Sequence, residues 1–147
     1  MTYTALASGR GVRTPAYRGK GPTTPVFLAR VGFMSSDHPY SPAKRAGNHI
    51  YVSGALSVDQ DYQPVSGRKE AVDAALERMC ERLATEGGEL RDVVKLTYFV
   101  TDITLREECN DQFREHFMEN RPARSFVEAS ALPYGASVEI DAIAVVE

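Results

Sequence analysis

Two side chains near the C-terminal end are of types that do chemistry together. Arg124 lies in Arg121-Pro122-Ala123-Arg124-Ser125, and Glu139 lies in Val138-Glu139-Ile140-Asp141. A guanidinium is always charged and its planar fork matches a carboxylate bidentately, so Arg124 is a natural anchor for a substrate with an α-carboxylate. A glutamate within reach of a water can accept its proton or hold it in place, and Glu139 is the candidate for that role. The same two residues can instead form a structural ion pair across a hairpin, a common arrangement that adds little stability. Spacing alone leaves both readings open.

The elements that must position them follow from the apolar pattern. Arg124–Leu132 predicts a strand, with Phe126, Val127, Ala129 and Leu132 apolar and no Gly or Pro inside it. Pro133-Tyr134-Gly135-Ala136 supplies a turn. Ser137–Val146 predicts a second strand, so that the two form a final hairpin. Val138, Ile140, Ala142, Ala144 and Val146 share one face of that strand, with Glu139 and Asp141 on the other.

Upstream, Ala46-Gly47-Asn48 turns into a predicted strand over His49–Leu56. There Ile50, Val52, Gly54 and Leu56 alternate against Tyr51, Ser53 and Ala55. A glycine inside a strand marks a bulge or a close approach, so Gly54 stands out. Arg68–Glu86 predicts a helix through Val72, Ala75, Leu76, Met79 and Leu83, stopped by Gly87-Gly88. Asp92–Thr101 predicts a strand with Val94, Leu96, Tyr98 and Val100 on one face. Thr104–Glu119 predicts a second helix with an apolar stripe of Leu105, Cys109, Phe113 and Phe117. Two amphipathic helices and a handful of strands imply an α+β sandwich, both helices on one face of a mixed sheet. The uncovered face, with alternating Val, Ile and Ala, points to an oligomer.

Composition narrows the function classes. The chain has 147 residues, enough for one core, and a net charge of −3. Residues 1–36 hold Arg10, Arg13, Arg18, Lys20 and Arg30 with no acid, so they read as a basic arm, with a candidate edge strand over 25–33. The rest is acidic, which places a nucleic-acid partner last. Cys80 and Cys109 fall in the predicted helices and read as buried thiols. No apolar run has the length of a signal peptide or a membrane span, so the expected location is cytoplasmic. His38 and Tyr40, in the turn-rich Asp37-His38-Pro39-Tyr40-Ser41-Pro42, are placed to line a pocket. No phosphate-cradling loop, zinc motif, C-x-x-C or nucleophile elbow occurs, which leaves cofactor-free chemistry or pure binding.

Several of these stretches together resemble the reactive intermediate deaminase family (RidA, or YjgF-like). Arg121-Pro122-Ala123-Arg124-Ser125, Val127-Glu128, Leu132-Pro133 and Val138–Ala144 are similar to its C-terminal signature. Pro39-Tyr40-Ser41 resembles its Gly-Pro-Tyr-Ser loop, and Ile50-Tyr51-Val52-Ser53-Gly54 its first core strand. Gly87-Gly88, Asp92–Lys95 and Phe99–Asp102 fit its helix-to-strand segment, and Asn110 with Phe117 its second helix.

The resemblance covers 37–147, the RidA-like domain, and implies a chorismate-mutase-like α+β fold assembled as a homotrimer with sites between subunits. It further implies hydrolysis of enamines and imines such as 2-aminoacrylate, like a 2-iminobutanoate/2-iminopropanoate deaminase, with no cofactor. Arg124 would bind the substrate carboxylate and Glu139 would position the water. Tyr40, Ser53, Gly54, Asn110 and Phe126 would line the site. Departures from the family pattern are His38 for a glycine, Pro42 for a glutamine and Phe126 for a cysteine; they point to a larger or less polar imino acid. The alternatives are a non-catalytic trimeric binder of a small carboxylate metabolite, or a pathway-specific enzyme using the same inter-subunit cleft.

Overall fold

The structure, a computed structural model, describes residues 38–147; the basic arm and the candidate edge strand lie outside the described residues. Five strands and two helices follow in the order β1 (Ala43–Ala46), β2 (His49–Leu56), α1 (Arg68–Thr85), β3 (Val93–Val100), α2 (Arg106–Phe117), β4 (Ala123–Glu128) and β5 (Val138–Val145). They form a mixed sheet of order β1-β2-β5-β3-β4, antiparallel except for the β3–β4 pair. The α+β architecture with both helices on one face is as the pattern predicts.

The helices form where periodicity and stop signals agree. Ala71, Val72, Ala75, Leu76, Met79 and Leu83 of α1 are buried. Gly87, at φ 81, and Gly88 close its end: their N–H groups donate to the carbonyls of Ala84 and Leu83. That is a Schellman motif, and a side chain at the left-handed position would strain it. In α2, Cys109, Phe113 and Phe117 are buried, and Leu105 is buried in the 3-10 turn just before it. Arg68 joins the two helices, bonding Glu108 as well as Asp102 and Thr104.

Three expectations are corrected. The last two strands form no hairpin, because β3 lies between β4 and β5 and pairs with both. The chain leaves β4 at Glu128, short of Leu132, and crosses the end of β3 to reach its other side. Secondly, the alternating Val138, Ile140, Ala142 and Ala144 are buried on the helix side. Tyr51, Phe99, Val127, Ile143 and Val145, on the opposite parity, make the uncovered face apolar. Thirdly, two irregularities shift the parity of single strands. In β3 the register slips between Val93 and Lys95, so Val93 is buried and Val94 is exposed. In β2 it slips between Val52 and Ala55, so Ala55 joins the helix-side core and Leu56 faces the other way.

One strand went unpredicted. Ala43–Ala46 carries only Ala, Lys and Arg, with no apolar alternation; it becomes a strand because Gly47-Asn48 folds it back onto His49–Val52. Burial also defines the thiols, with Cys80 pushed up to about 11 and Cys109 to about 12. Neither has the thiolate character of a reactive cysteine.

Candidate active site

Arg124 is the second residue of β4, paired in register with Leu96, and Phe126 is paired with Tyr98. Both side chains point to the helix side. The guanidinium lies over the rings of Phe113, Phe126 and Tyr98, at 5.0, 5.6 and 5.8 Å from their centroids. Its Nη2 donates to Asn110 Oδ1 of α2 at 2.7 Å. Three ring faces and an amide hold the plane of the fork in place. Among the described residues it has no carboxylate partner. An edge strand thus presents a fixed, half-buried cation with donors to spare. Arg124, Asn110 and Phe126 are brought together as expected.

Glu139 lies elsewhere. It is opposite Leu56 of β2 and Phe99 of β3, on the sheet face that the helices do not cover. Arg124 and Glu139 are therefore on opposite faces and on strands separated by β3, so the ion pair across a hairpin does not exist.

The surroundings of Glu139 come from the bulge in β2. Val52 pairs with Ala142 and Ala55 with Ile140, so Ser53 and Gly54 together oppose Asp141. Gly54 is a position of close approach, since a Cβ there would come within 1.6 Å of Glu139 Oε1. The carboxylate occupies the space a side chain would fill. Burial pushes the Glu139 carboxyl above its ordinary value; Asp141 adds to this and Arg82 opposes it. Ser53 ties the preceding loop to the bulge, its N–H donating to the carbonyl of Pro42 at 2.9 Å and its Oγ to that of Ser41 at 2.7 Å. That loop carries Tyr40, which is exposed and stacks on His38 at 5.2 Å. Tyr40, Ser53, Gly54 and Glu139 thus form a second cluster, apart from the first.

Sequence reasoning missed three residues of this second cluster. Arg82 of α1 donates from Nη1 to the carbonyls of Gly54 and Ser53, at 2.8 and 3.1 Å. Arg78 and Arg82 stand four apart, a spacing that puts both on one helix flank, and this was the legible signal. Tyr62 and Tyr134 extend the aromatic surface of Tyr40. Tyr62 bonds His38 Nε2 through its hydroxyl at 2.9 Å, and its ring lies 4.9 Å from that of Tyr134. Both tyrosines have positive φ, 58° and 59°, a conformation that costs a non-glycine residue about 1–2 kcal/mol. No sequence signal marks it. A groove of about 330 Å³ lined by Arg68, Asp102 and Leu105 contains neither cluster.

Fold and site geometry together define an α+β protein with a half-buried arginine held by rings and a half-buried glutamate on the other sheet face. The family model described as Endoribonuclease L-PSP matches residues 33–146. The human 2-iminobutanoate/2-iminopropanoate deaminase is 37% identical over 109 residues, covering 73% of this chain and 80% of its own. The yeast mitochondrial protein Mmf1 is 34% identical over 135 residues, covering 91% and 93%. Among solved structures, RidA from an Antarctic Psychrobacter superposes with a TM-score of 0.70 at 33% identity, over 76% of this chain and 92% of that one. The YjgF product of E. coli gives 0.69 at 30%, over 76% and 91%. The chain belongs to the RidA/YjgF family, which the L-PSP model describes. No helix among the described residues is long and apolar enough to cross a membrane.

Proposed function

We propose that this chain hydrolyses enamine and imine intermediates of the 2-aminoacrylate type to 2-oxo acids and ammonia, as a cytoplasmic, cofactor-free homotrimer. The observation that carries the reading is Arg124: a guanidinium fixed by three rings and Asn110, with no carboxylate among the described residues to neutralise it. Such a group is built to receive an anion from outside the chain.

The separation of Arg124 from Glu139 supports a site shared between copies. In this reading Arg124 of one subunit faces Glu139 of the next, and the apolar residues of the open sheet face are the contact. An enamine first tautomerises to the imine, whose carbon is already electrophilic. Water held by Glu139 adds to that carbon and gives its proton to the carboxylate. The carboxylic acid returns that proton to the nitrogen, the adduct's hydroxyl proton follows onto the same nitrogen, and collapse to the 2-oxo acid expels ammonia. Holding substrate and water in register supplies much of the acceleration. The exposed Tyr40 and Tyr134, with Phe126 beside Arg124, favour a substrate with a larger side chain than 2-aminoacrylate.

The test uses imines generated in situ by an amino-acid oxidase from a small, an aliphatic and an aromatic amino acid. Arg124→Ala should slow the accelerated hydrolysis about ten- to a hundredfold while the assembly persists; full activity in that variant refutes the reading. Binding of a 2-oxo acid without turnover makes the protein a carboxylate binder instead. Turnover of none of the imines points to a pathway-specific reaction in the same cleft.

A further inference from the structure

The β2 bulge requires an unusual partner. β1 pairs with β2 no further than Val52, so beyond that point the outer edge of β2 has no neighbouring strand among the described residues. The carbonyls of Ser53 and Gly54 would be left without partners, a costly state for half-buried backbone. Arg82 supplies both bonds from a single nitrogen, Nη1. A two-residue bulge held by a guanidinium from the helix layer is a fixed point, and Gly54 is the residue whose missing side chain houses the Glu139 carboxylate.

We infer that Arg82 is the positioning residue of the acid: it holds the Ser53–Gly54 bulge, and with it the seat and the charge state of Glu139. The inference rests on the reading of Glu139 as the water-holding group only for its catalytic consequence. The coupling itself lies within one chain. The groups acting on the Glu139 carboxyl are Asp141 on its own strand and Arg82 from α1. Its cross-sheet neighbours, Leu56 and Phe99, are apolar. Tyr40 and Arg78 stand beside Arg82 rather than beside Glu139. Among the described residues Arg82 is thus the cation that favours the ionised acid, against burial and Asp141.

The sign follows. Removing Arg82 takes away an influence that lowers the Glu139 value, so the carboxyl holds its proton to higher pH. Arg82→Met keeps the length and apolar stem of the side chain, and Arg82→Lys restores a charge without the fork. Titration of the glutamate side-chain carboxyls by NMR in the full chain, with Glu139 assigned from Glu139→Gln, reads the effect directly. Arg82→Met should move the Glu139 midpoint upward and Arg82→Lys should bring it partly back. Imine hydrolysis across pH gives the second readout: the acidic limb of kcat/KM should move upward in Arg82→Met, with most of the rate regained at alkaline pH. An unchanged Glu139 midpoint in folded Arg82→Met overturns the inference, as does a rate loss equal at every pH. A wild-type chain that turns over no imine removes the deaminase reading alone, because the titration still decides the role of Arg82.

Discussion

Arg124 and Glu139 stand on opposite faces of one sheet, with β3 between their strands. This makes complementation the sharpest test of the shared site. Arg124→Ala and Glu139→Gln should each keep only a few per cent of the activity alone, roughly what remains after losing one charge-assisted contact. When the two are unfolded together in equal amounts and reassembled, roughly a quarter of the clefts join an intact arginine to an intact glutamate in a cyclic assembly. Activity should return to about that fraction. No recovery from verified mixed assemblies would place both groups in one subunit's site.

The arginine itself should matter through its shape as well as its charge. Loss of a charge-assisted pair with a substrate carboxylate costs about 1.5–3 kcal/mol. Arg124→Ala should therefore lower kcat/KM about ten- to a hundredfold. Arg124→Lys keeps the charge but gives up the fork, and should recover only a minor part. Thermal stability should fall modestly in Arg124→Ala and less in Arg124→Lys, because stacking of the half-buried cation on Tyr98, Phe113 and Phe126 is worth about 0.5–2 kcal/mol.

Gly54→Ala separates function from folding. The new methyl meets the end of the flexible Glu139 side chain, which can swing away at little cost. The variant should keep its melting temperature and lose turnover, because the displaced carboxylate no longer holds the water. Equal activity in wild type and variant would show that the seat beside Gly54 is not the working position of the acid.

The pH dependence has a definite sign. Burial and Asp141 raise the Glu139 carboxyl, so its base form appears only above the ordinary carboxylate range. Activity should rise with pH through a limb displaced upward, and Asp141→Asn should move that limb down. Stability runs the other way. A raised acid binds its proton more tightly in the folded chain, so the contribution is present below the unfolded value and is lost as pH rises through the folded one. At neutral pH Glu139→Gln should therefore be no less stable than wild type.

Tyr98 should be structural. Its ring is fully buried and its hydroxyl donates to Gln112 Oε1 at 3.2 Å, while Gln112 Nε2 donates to the Val72 carbonyl and to Asp73. Tyr98→Phe leaves that amide oxygen without its donor, at a cost of about 1–3 kcal/mol in unfolding free energy. Denaturant midpoints should drop while kcat/KM changes little.

Much of this molecule is local and was therefore legible. The helices over Arg68–Thr85 and Arg106–Phe117 follow from apolar spacing, and the glycine pair after the first stops it through backbone geometry that glycine alone adopts freely. The motif around Arg124 and the glycine inside β2 marked both candidate clusters, because each is a local run of residues. Strand pairing is not local. Nothing in the residues from Arg124 to Val146 tells that β3 inserts between their two strands, because alternation fixes which side chains share a face and not which strand lies alongside. Ala43–Ala46 had no pattern of its own and is a strand only because a turn lays it on β2. The hold of Arg82 on two carbonyls depends on where the bulge falls, and so on the register with β5. Residue types decided what chemistry this chain can do. The tertiary structure decided that its cation and its acid face apart, since strand order is set by packing between distant segments.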